Sequence, residues 1–409
     1  MTGNIAFMFL CTILVFMMTP GLAFFYGGMV RRKNTLNTML CCLLMLGIGT
    51  VLWFAVGYSL TFGEDHAGII GDLKKAFFQG VSVQGGENEE MPEIVTALFN
   101  MMFAVISPAI IFGSLAERMR FSKMVIFMVI WSFLVYYPLA HMAWGGGVLE
   151  MIGSIDFAGG NVIHISTGVS GLVACLILGN RKGYGAMSYH PHNVPFFLLG
   201  ACILWAGWFG FNCGCAGGAN EIALLAFCNT AVSSAVSMLV WVAIEMIVIR
   251  KCTVMGALTG GIVGLVGITP GCGYVPLWAA LIIGATTAPI CYFAISKIKK
   301  HFGYDDALDA FGCHGVGGIW GGIVTGLFAT SKMNDAVPAE GLVYGDYHLF
   351  LSQIGAILIS IGIAVVMTAL IMIILKQFGG VRVSDLEEAK GLDSEEHGER
   401  AYPAFNGLD

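Results

Sequence analysis

The chain has 409 residues, 57% of them hydrophobic and only 11% charged, with a formal net charge of −6 at pH 7. Soluble domains carry about 25% charged residues, so a soluble globular protein is excluded. No nucleic-acid partner is expected, and neither H-E-x-x-H nor G-x-S-x-G occurs to suggest a protease or esterase.

Apolar stretches near the ~20 residues needed to span a bilayer recur at 4–30, 37–62, 92–116, 121–142, 160–179, 194–214, 221–249, 252–269, 276–298, 309–330 and 348–376. They predict an all-α, polytopic membrane protein of eleven helices. The basic residues fix its orientation, because Lys and Arg gather on the cytoplasmic side. Arg31, Arg32 and Lys33 follow the first helix, and Arg118, Arg120 and Lys123 the third. Arg181 and Lys182 follow the fifth, Arg250 and Lys251 the seventh, Lys297, Lys299 and Lys300 the ninth, and Lys376, Arg382, Lys390 and Arg400 the last. Only Lys74, Lys75 and Lys332 of the 20 basic residues fall on the other side. The N-terminus is therefore expected outside and the C-terminus in the cytoplasm. The first basic residue is Arg31, so no cleavable signal peptide is expected.

The outer loop 63–91 is acidic (Glu64, Asp65, Asp72, Glu87, Glu89, Glu90). It reads either as part of a cation-attracting mouth or as a solvated loop. Further on, two segments repeat one another: Asp156-x7-His164-x3-Gly168-x2-Gly171 and Asp306-x7-His314-x3-Gly318-x2-Gly321. An ionisable side chain inside a membrane helix is costly and marks a pathway. The glycines at i+4 and i+7 share the histidine's helical face and let two backbones approach closely. Repeated segments of this kind mark the substrate path of duplicated transporters. The duplication sets helices 1–5 (about 1–180) against 6–10 (about 194–330), leaving helix 11. Five helices per copy make the second copy inverted. Glycine, 56 in all, is dense at Gly145–Gly147, Gly214–Gly218, Gly260–Gly267 and Gly315–Gly322, as expected of close helix packing.

A membrane domain of 1–378 is thus followed by a polar cytoplasmic tail, 379–409, long enough to dock a partner or a neighbouring subunit. The 12 cysteines lie mostly inside apolar segments (Cys41, Cys42, Cys175, Cys202, Cys228, Cys291), as small buried hydrophobes do. Cys272 and the vestibule cysteines are candidates for oxidation. No spacing argues a disulfide framework or a metal site, and no cofactor is expected.

Several segments together resemble the ammonium transporter (Amt/Mep/Rh) family, in its bacterial and archaeal form. They are PGLAFFYGGMVRRKN (20–34), MMFAVISPAIIFGSLAERMRF (101–121), HMAWGGG (141–147), DFAGGNVIHISTGVSGLVA (156–174), WAGWFGFNCGCAGGANEIALLAFCNT (205–230), DAFGCHGVGGIWGGIVTGLFA (309–329) and GLDSEEHGERAY (391–402). The resemblance covers nearly the whole chain. It implies a homotrimer with one pore per subunit and selective uptake of ammonium, with methylammonium as an analogue.

It also implies site residues. Trp144 and Phe103 would hold a cation by cation–π attraction, worth ~0.5–2 kcal/mol per contact. Phe103 and Phe211 would stack as a gate, and His164 and His314 would line the pore. The chain departs from the pattern at Cys215, where the family usually places a serine; sulfur accepts hydrogen bonds more weakly than oxygen. Two roles are open for Asp156: direct contact with the cation, or a buried carboxylate that organises the recruitment region through backbone hydrogen bonds. Asp306 and Asp309 look like N-terminal caps of the tenth helix. Counted from helix ends, His164 lies in the outer part of its helix and His314 in the inner part of its own. The resemblance implies instead that both helices start deep in the protein, so that the imidazoles meet. Burial favours neutral rings, and a mutually hydrogen-bonded pair is expected.

Electrogenic transport by deprotonation, with proton and ammonia crossing separately, and neutral ammonia conduction both fit this reading. A bis-histidine haem protein and an ammonium sensor are rivals of other classes. A GlnK-type PII signalling protein is the partner the resemblance implies at the cytoplasmic face.

Overall fold

The computed structural model describes residues 1–85 and 91–402. Glu87, Glu89 and Glu90 of the outer loop, and the tail beyond Tyr402, lie outside the described residues.

The apolar runs form α1 (Thr2–Met29), α2 (Arg32–Phe62), α3 (Glu93–Leu115), α4 (Phe121–Met151), α5 (Gly160–Leu178), α6 (Val194–Gly214), α7 (Glu221–Val248), α8 (Val254–Ile268), α9 (Leu277–Phe302), α10 (Phe311–Phe328) and α11 (His348–Gln377). Among the described residues, ten of these are long and apolar enough to cross a membrane. The other, α8, has 15 residues and rises about 22 Å, less than a ~30 Å hydrocarbon core. The chain is an all-α, polytopic membrane protein. The helices follow the predicted limits except that the second starts earlier, at Arg32, the ninth runs on to Phe302 and the fourth continues past residue 142 to Trp144. A break at Gly145–Gly147 then leads into a last short turn, Val148–Met151.

Burial separates centre from periphery. The most apolar stretches of α5, α3 and α10 are 78%, 72% and 67% buried, against 28% for α2 and α7. The outward faces of α7 and α11 present Leu239, Ile247, Leu358 and Val366, as a lipid-facing surface requires. Cys202 and Cys228 also lie on exposed faces rather than in the core, and every described cysteine is free; Cys272 is buried. Glycine sets how closely helices approach. A Cβ at Gly28 would lie 2.6 Å from the Asn193 carbonyl, and one at Gly21 2.8 Å from Ile203, so α1 and α6 pack backbone to backbone. Gly260 and Gly264 of α8 abut Trp241 and Ser237 of α7 in the same way.

At the basic end of the bundle, Glu117 meets Arg31 at 3.0 Å and Arg181 at 2.9 Å, and Arg181 meets Asp305 at 2.8 Å. Buried Arg118 donates to the carbonyls of Gly179 and Asp305. Burial opposes ionisation of Glu117, but Arg181 and Arg31 outweigh it and hold the carboxyl below its ordinary value. Residues that the sequence offers as topology markers are therefore also a buried ionic knot joining the ends of α1, α3 and α5 to the segment before α10.

The tail docks on its own chain across this end. Residue 382 bridges Met119, and α12 (Asp385–Lys390) starts with a capping box of Ser384 and Glu387. Buried Glu388 accepts from Arg382 at 2.7 Å and from the Lys182 amide. In α13 (Leu392–His397), Asp393 accepts from the Asn37 amide at the start of α2. The Tyr402 hydroxyl meets His192 and Asn193. At the opposite end, the loop after α2 forms a small antiparallel pair, β1 (Asp65–His66) with β2 (Ile70–Gly71).

Candidate functional site

The two histidine segments share one local design. Before α5, the Asp156 carboxylate accepts from the amides of Gly159, Gly160 and Asn161 at 2.8, 2.6 and 2.7 Å, with Val162 at 3.4 Å. Gly159 takes φ +109°, a conformation open to glycine. The first turn, Gly160–Ile165, is π-helical. Before α10, Asp306 accepts from Ala310 and Phe311 at 3.1 and 2.8 Å and from the Ser114 hydroxyl at 2.7 Å. The first turn, Phe311–Gly315, is again π-helical. Asp306 is thus a cap, but Asp309 is not: it has φ +59° and pairs with Lys299 at 2.7 Å.

Both helices begin inside the protein, since Ile155–Gly160 is buried before α5 starts. Counting from helix ends therefore misplaces the histidines. Their Nδ1 atoms lie 3.2 Å apart and their rings 5.2 Å apart at 26°. The glycines at i+4 permit this. A Cβ at Gly318 would lie 2.9 Å from the His164 Cβ, and one at Gly168 would strike the Gly315 backbone. Each glycine accommodates the other segment's histidine turn. One ring nitrogen, His164 Nε2, is buried with no hydrogen-bond partner among the described residues.

From this pair a series of aromatic rings runs towards the β1–β2 end. His164 stacks on Trp208 at 5.4 Å and lies 6.2 Å from Phe211. Phe211 and Phe103 are 4.4 Å apart, and Phe103 and Trp144 6.2 Å. On the far side of Phe103 and Phe211 lies a cavity of about 170 Å³, lined by Phe62, Phe99, Phe103, Trp144, Phe157 and Cys215 among others. Below them is a second, narrow space of about 20 Å³, lined by His164, His314, Trp208, Phe211 and aliphatic side chains. That volume is close to the minimum for one water molecule and far too small for a haem. Among the described residues no group of three or more His, Cys, Asp or Glu could hold a metal.

Of the sequence-proposed substrate contacts, Trp144, Phe103 and Cys215 face the wider cavity. Trp144 is oriented by its Nε1–H, which donates to the Asp156 carbonyl at 2.8 Å. The Cys215 thiol donates to the Phe211 carbonyl at 3.3 Å. The Asp156 carboxylate accepts from backbone amides, the geometry of the second of the two roles open for it, and the turn it builds holds Trp144. The sequence reading missed Phe62, Phe99, Phe157 and Trp208. Phe99 and Trp208 sit one helical turn before Phe103 and Phe211, a spacing that signals a shared face. Phe62 and Phe157 carry no such signal.

The family model described as Ammonium Transporter Family matches residues 6–402. An ammonium transporter of Bacillus subtilis (strain 168) is 46% identical over 401 residues, covering 98% of both chains. The crystal structure of Saccharomyces cerevisiae Mep2 superposes with a TM-score of 0.87 at 32% identity, covering 94% of this chain and 88% of that one. A structure titled Sensor Amt Protein superposes with a TM-score of 0.88 at 26% identity, covering 97% and 98%.

Proposed function

This chain belongs to the Ammonium Transporter Family, and from that premise we propose that it takes up ammonium across the cell membrane through a pore centred on His164 and His314. All eleven helices, the shorter α8 included, cross the bilayer, with the N-terminus outside, the tail in the cytoplasm, and α1–α5 and α6–α10 as inverted copies. The matched Asp–His–Gly starts of α5 and α10 support that repeat. The working unit is a homotrimer with a pore in each subunit. The basic end, with its docked tail, is the face a GlnK-type PII protein would meet.

The observation that carries the reading is a buried nitrogen with no hydrogen-bond partner among the described residues, His164 Nε2, beside a narrow apolar space sized for one small molecule. Trp144 and Phe103 recruit the cation through their ring faces, while Phe103 and Phe211 close the way below. A charged ammonium entering the narrow space would lose its hydration without compensation. It therefore gives up its proton at the gate, and neutral ammonia passes, exchanging hydrogen bonds with the exposed imidazole edge. The direct His164–His314 contact favours a relay of that proton over neutral conduction, because two linked rings can accept on one side and release on the other.

The test is the current evoked by an ammonium chloride pulse on proteoliposomes. A transient current, absent with sodium or potassium and abolished in His164→Ala, is the expected result. A current of unchanged size in His164→Ala would remove the relay, and no current in the wild type would leave neutral conduction, read by an internal pH dye.

A further inference from the structure

Three residues before Trp144 in α4 stands a third buried histidine, one that the pore does not use. His141 is fully buried. Its Nδ1 lies 2.8 Å from the Thr61 carbonyl and its Nε2 2.9 Å from a carboxylate oxygen of Asp65. Carbonyl and carboxylate oxygens only accept, and a neutral imidazole has one N–H. Both contacts are hydrogen bonds only when both ring nitrogens carry protons. The His141 hydrogen bond, aided by the Gly68 amide and opposed by slight desolvation, holds the Asp65 carboxyl below its ordinary value, so the carboxylate is the ionised partner.

The ring stands where two walls of the aromatic cavity join. Thr61 precedes Phe62, which lines that cavity. The His141 carbonyl accepts from the amides of Gly145 and Gly147 at 2.8 and 3.3 Å, closing the turn that carries Trp144. A Cβ at Gly145 would lie 2.6 Å from His141 Nδ1. Asp65 also accepts from the Gly68 amide at 2.8 Å, and the Gly68 carbonyl accepts from Val148 just beyond the glycines.

We propose that His141, seated between the Thr61 carbonyl and Asp65, is a positioning residue for ammonium recruitment: it ties the β1–β2 loop and the end of α2 to the Trp144 turn. This rests on the Trp144 cavity being the recruitment site. The other charged groups of this region are His66 on the same hairpin, Glu64 and Asp72, both taken up by Lys74, and Glu150, which accepts from the Gly146 amide. Asp65 is the one in contact with the ring.

The experiment is methylammonium uptake into proteoliposomes. Asp65→Ala, which removes the oxygen facing His141 Nε2, should raise half-saturation about tenfold, with the maximal rate less affected. In Asp65→Asn the side chain can accept from the ring or donate to it, so the contact survives and half-saturation should stay near the wild-type value. His141→Gln should raise half-saturation as Asp65→Ala does. An unchanged half-saturation in Asp65→Ala, or an Asp65→Asn value as high as that of Asp65→Ala, overturns the proposal; the Asp65 arms decide even if His141→Gln does not fold. Trp144→Leu is the separate control: an unchanged half-saturation there removes the recruitment site itself.

Discussion

At the start of α5, Asp156 gathers backbone amides while its own carbonyl holds the indole of Trp144 at 2.8 Å. At the start of α10, Asp306 caps the matching turn while its carbonyl holds the ammonium of Lys299 at 2.6 Å. The same aspartate, eight residues before the same histidine, thus orients an aromatic face in one segment and a fixed cation, paired with Asp309, in the other. The cap is common to both because a helix that starts inside the protein must satisfy its first amides without water. The residue it orients is free to differ. At the first start an indole faces the wider cavity, and at the second a lysine ammonium is already in place.

Removing the caps tests the shared half of that comparison and should have the largest effect. Asp156→Ala strands up to four buried amides and should destabilise the protein by roughly 3–6 kcal/mol. Asp306→Ala strands two amides and a hydroxyl and should cost about 2–4 kcal/mol. Thermal unfolding in detergent reads both, and equal losses would mean that the two starts are more alike than their hydrogen bonds indicate. The differing half is tested by Trp144→Leu against Lys299→Met. The first should raise the external half-saturation for methylammonium about tenfold. The second should leave it unchanged while lowering stability by ~1–3 kcal/mol, because it leaves Asp309 without its partner. The smallest effect is expected at Cys215→Ser. Its hydroxyl is the better acceptor, and half-saturation should fall about two- to fivefold.

The helices were legible because a spanning helix must be apolar over nearly its whole length, a constraint that survives any tertiary arrangement. The histidine pair was legible because the same Asp–His–Gly spacing occurs twice in the sequence. Where the histidines sit in depth was not, since helix limits alone do not say that Ile155–Gly160 is already buried. Phe62 and Phe157 join the cavity from segments far apart in the chain, and no local pattern brings them to Trp144. Arg31, Arg118 and Arg181 were read only for the side of the membrane they mark. Their buried acidic partners, Glu117 and Asp305, lie on other elements, so the knot has no signature within any one segment. His141 was equally silent, because its meaning depends on what faces its two nitrogens.

The tail's docking has a consequence for the order of assembly. Lys33 donates to the Glu388 carbonyl across 355 positions of sequence, and the Asn34 side chain accepts from the Leu392 amide across 358. These bonds must wait until the last helix has left the ribosome and the insertion machinery. Loops that emerged first stay open until the final residues arrive to close them. Protection of the 381–402 segment from protease would therefore date the completion of a newly made chain, and a molecule stalled at any earlier helix would expose that unfinished surface.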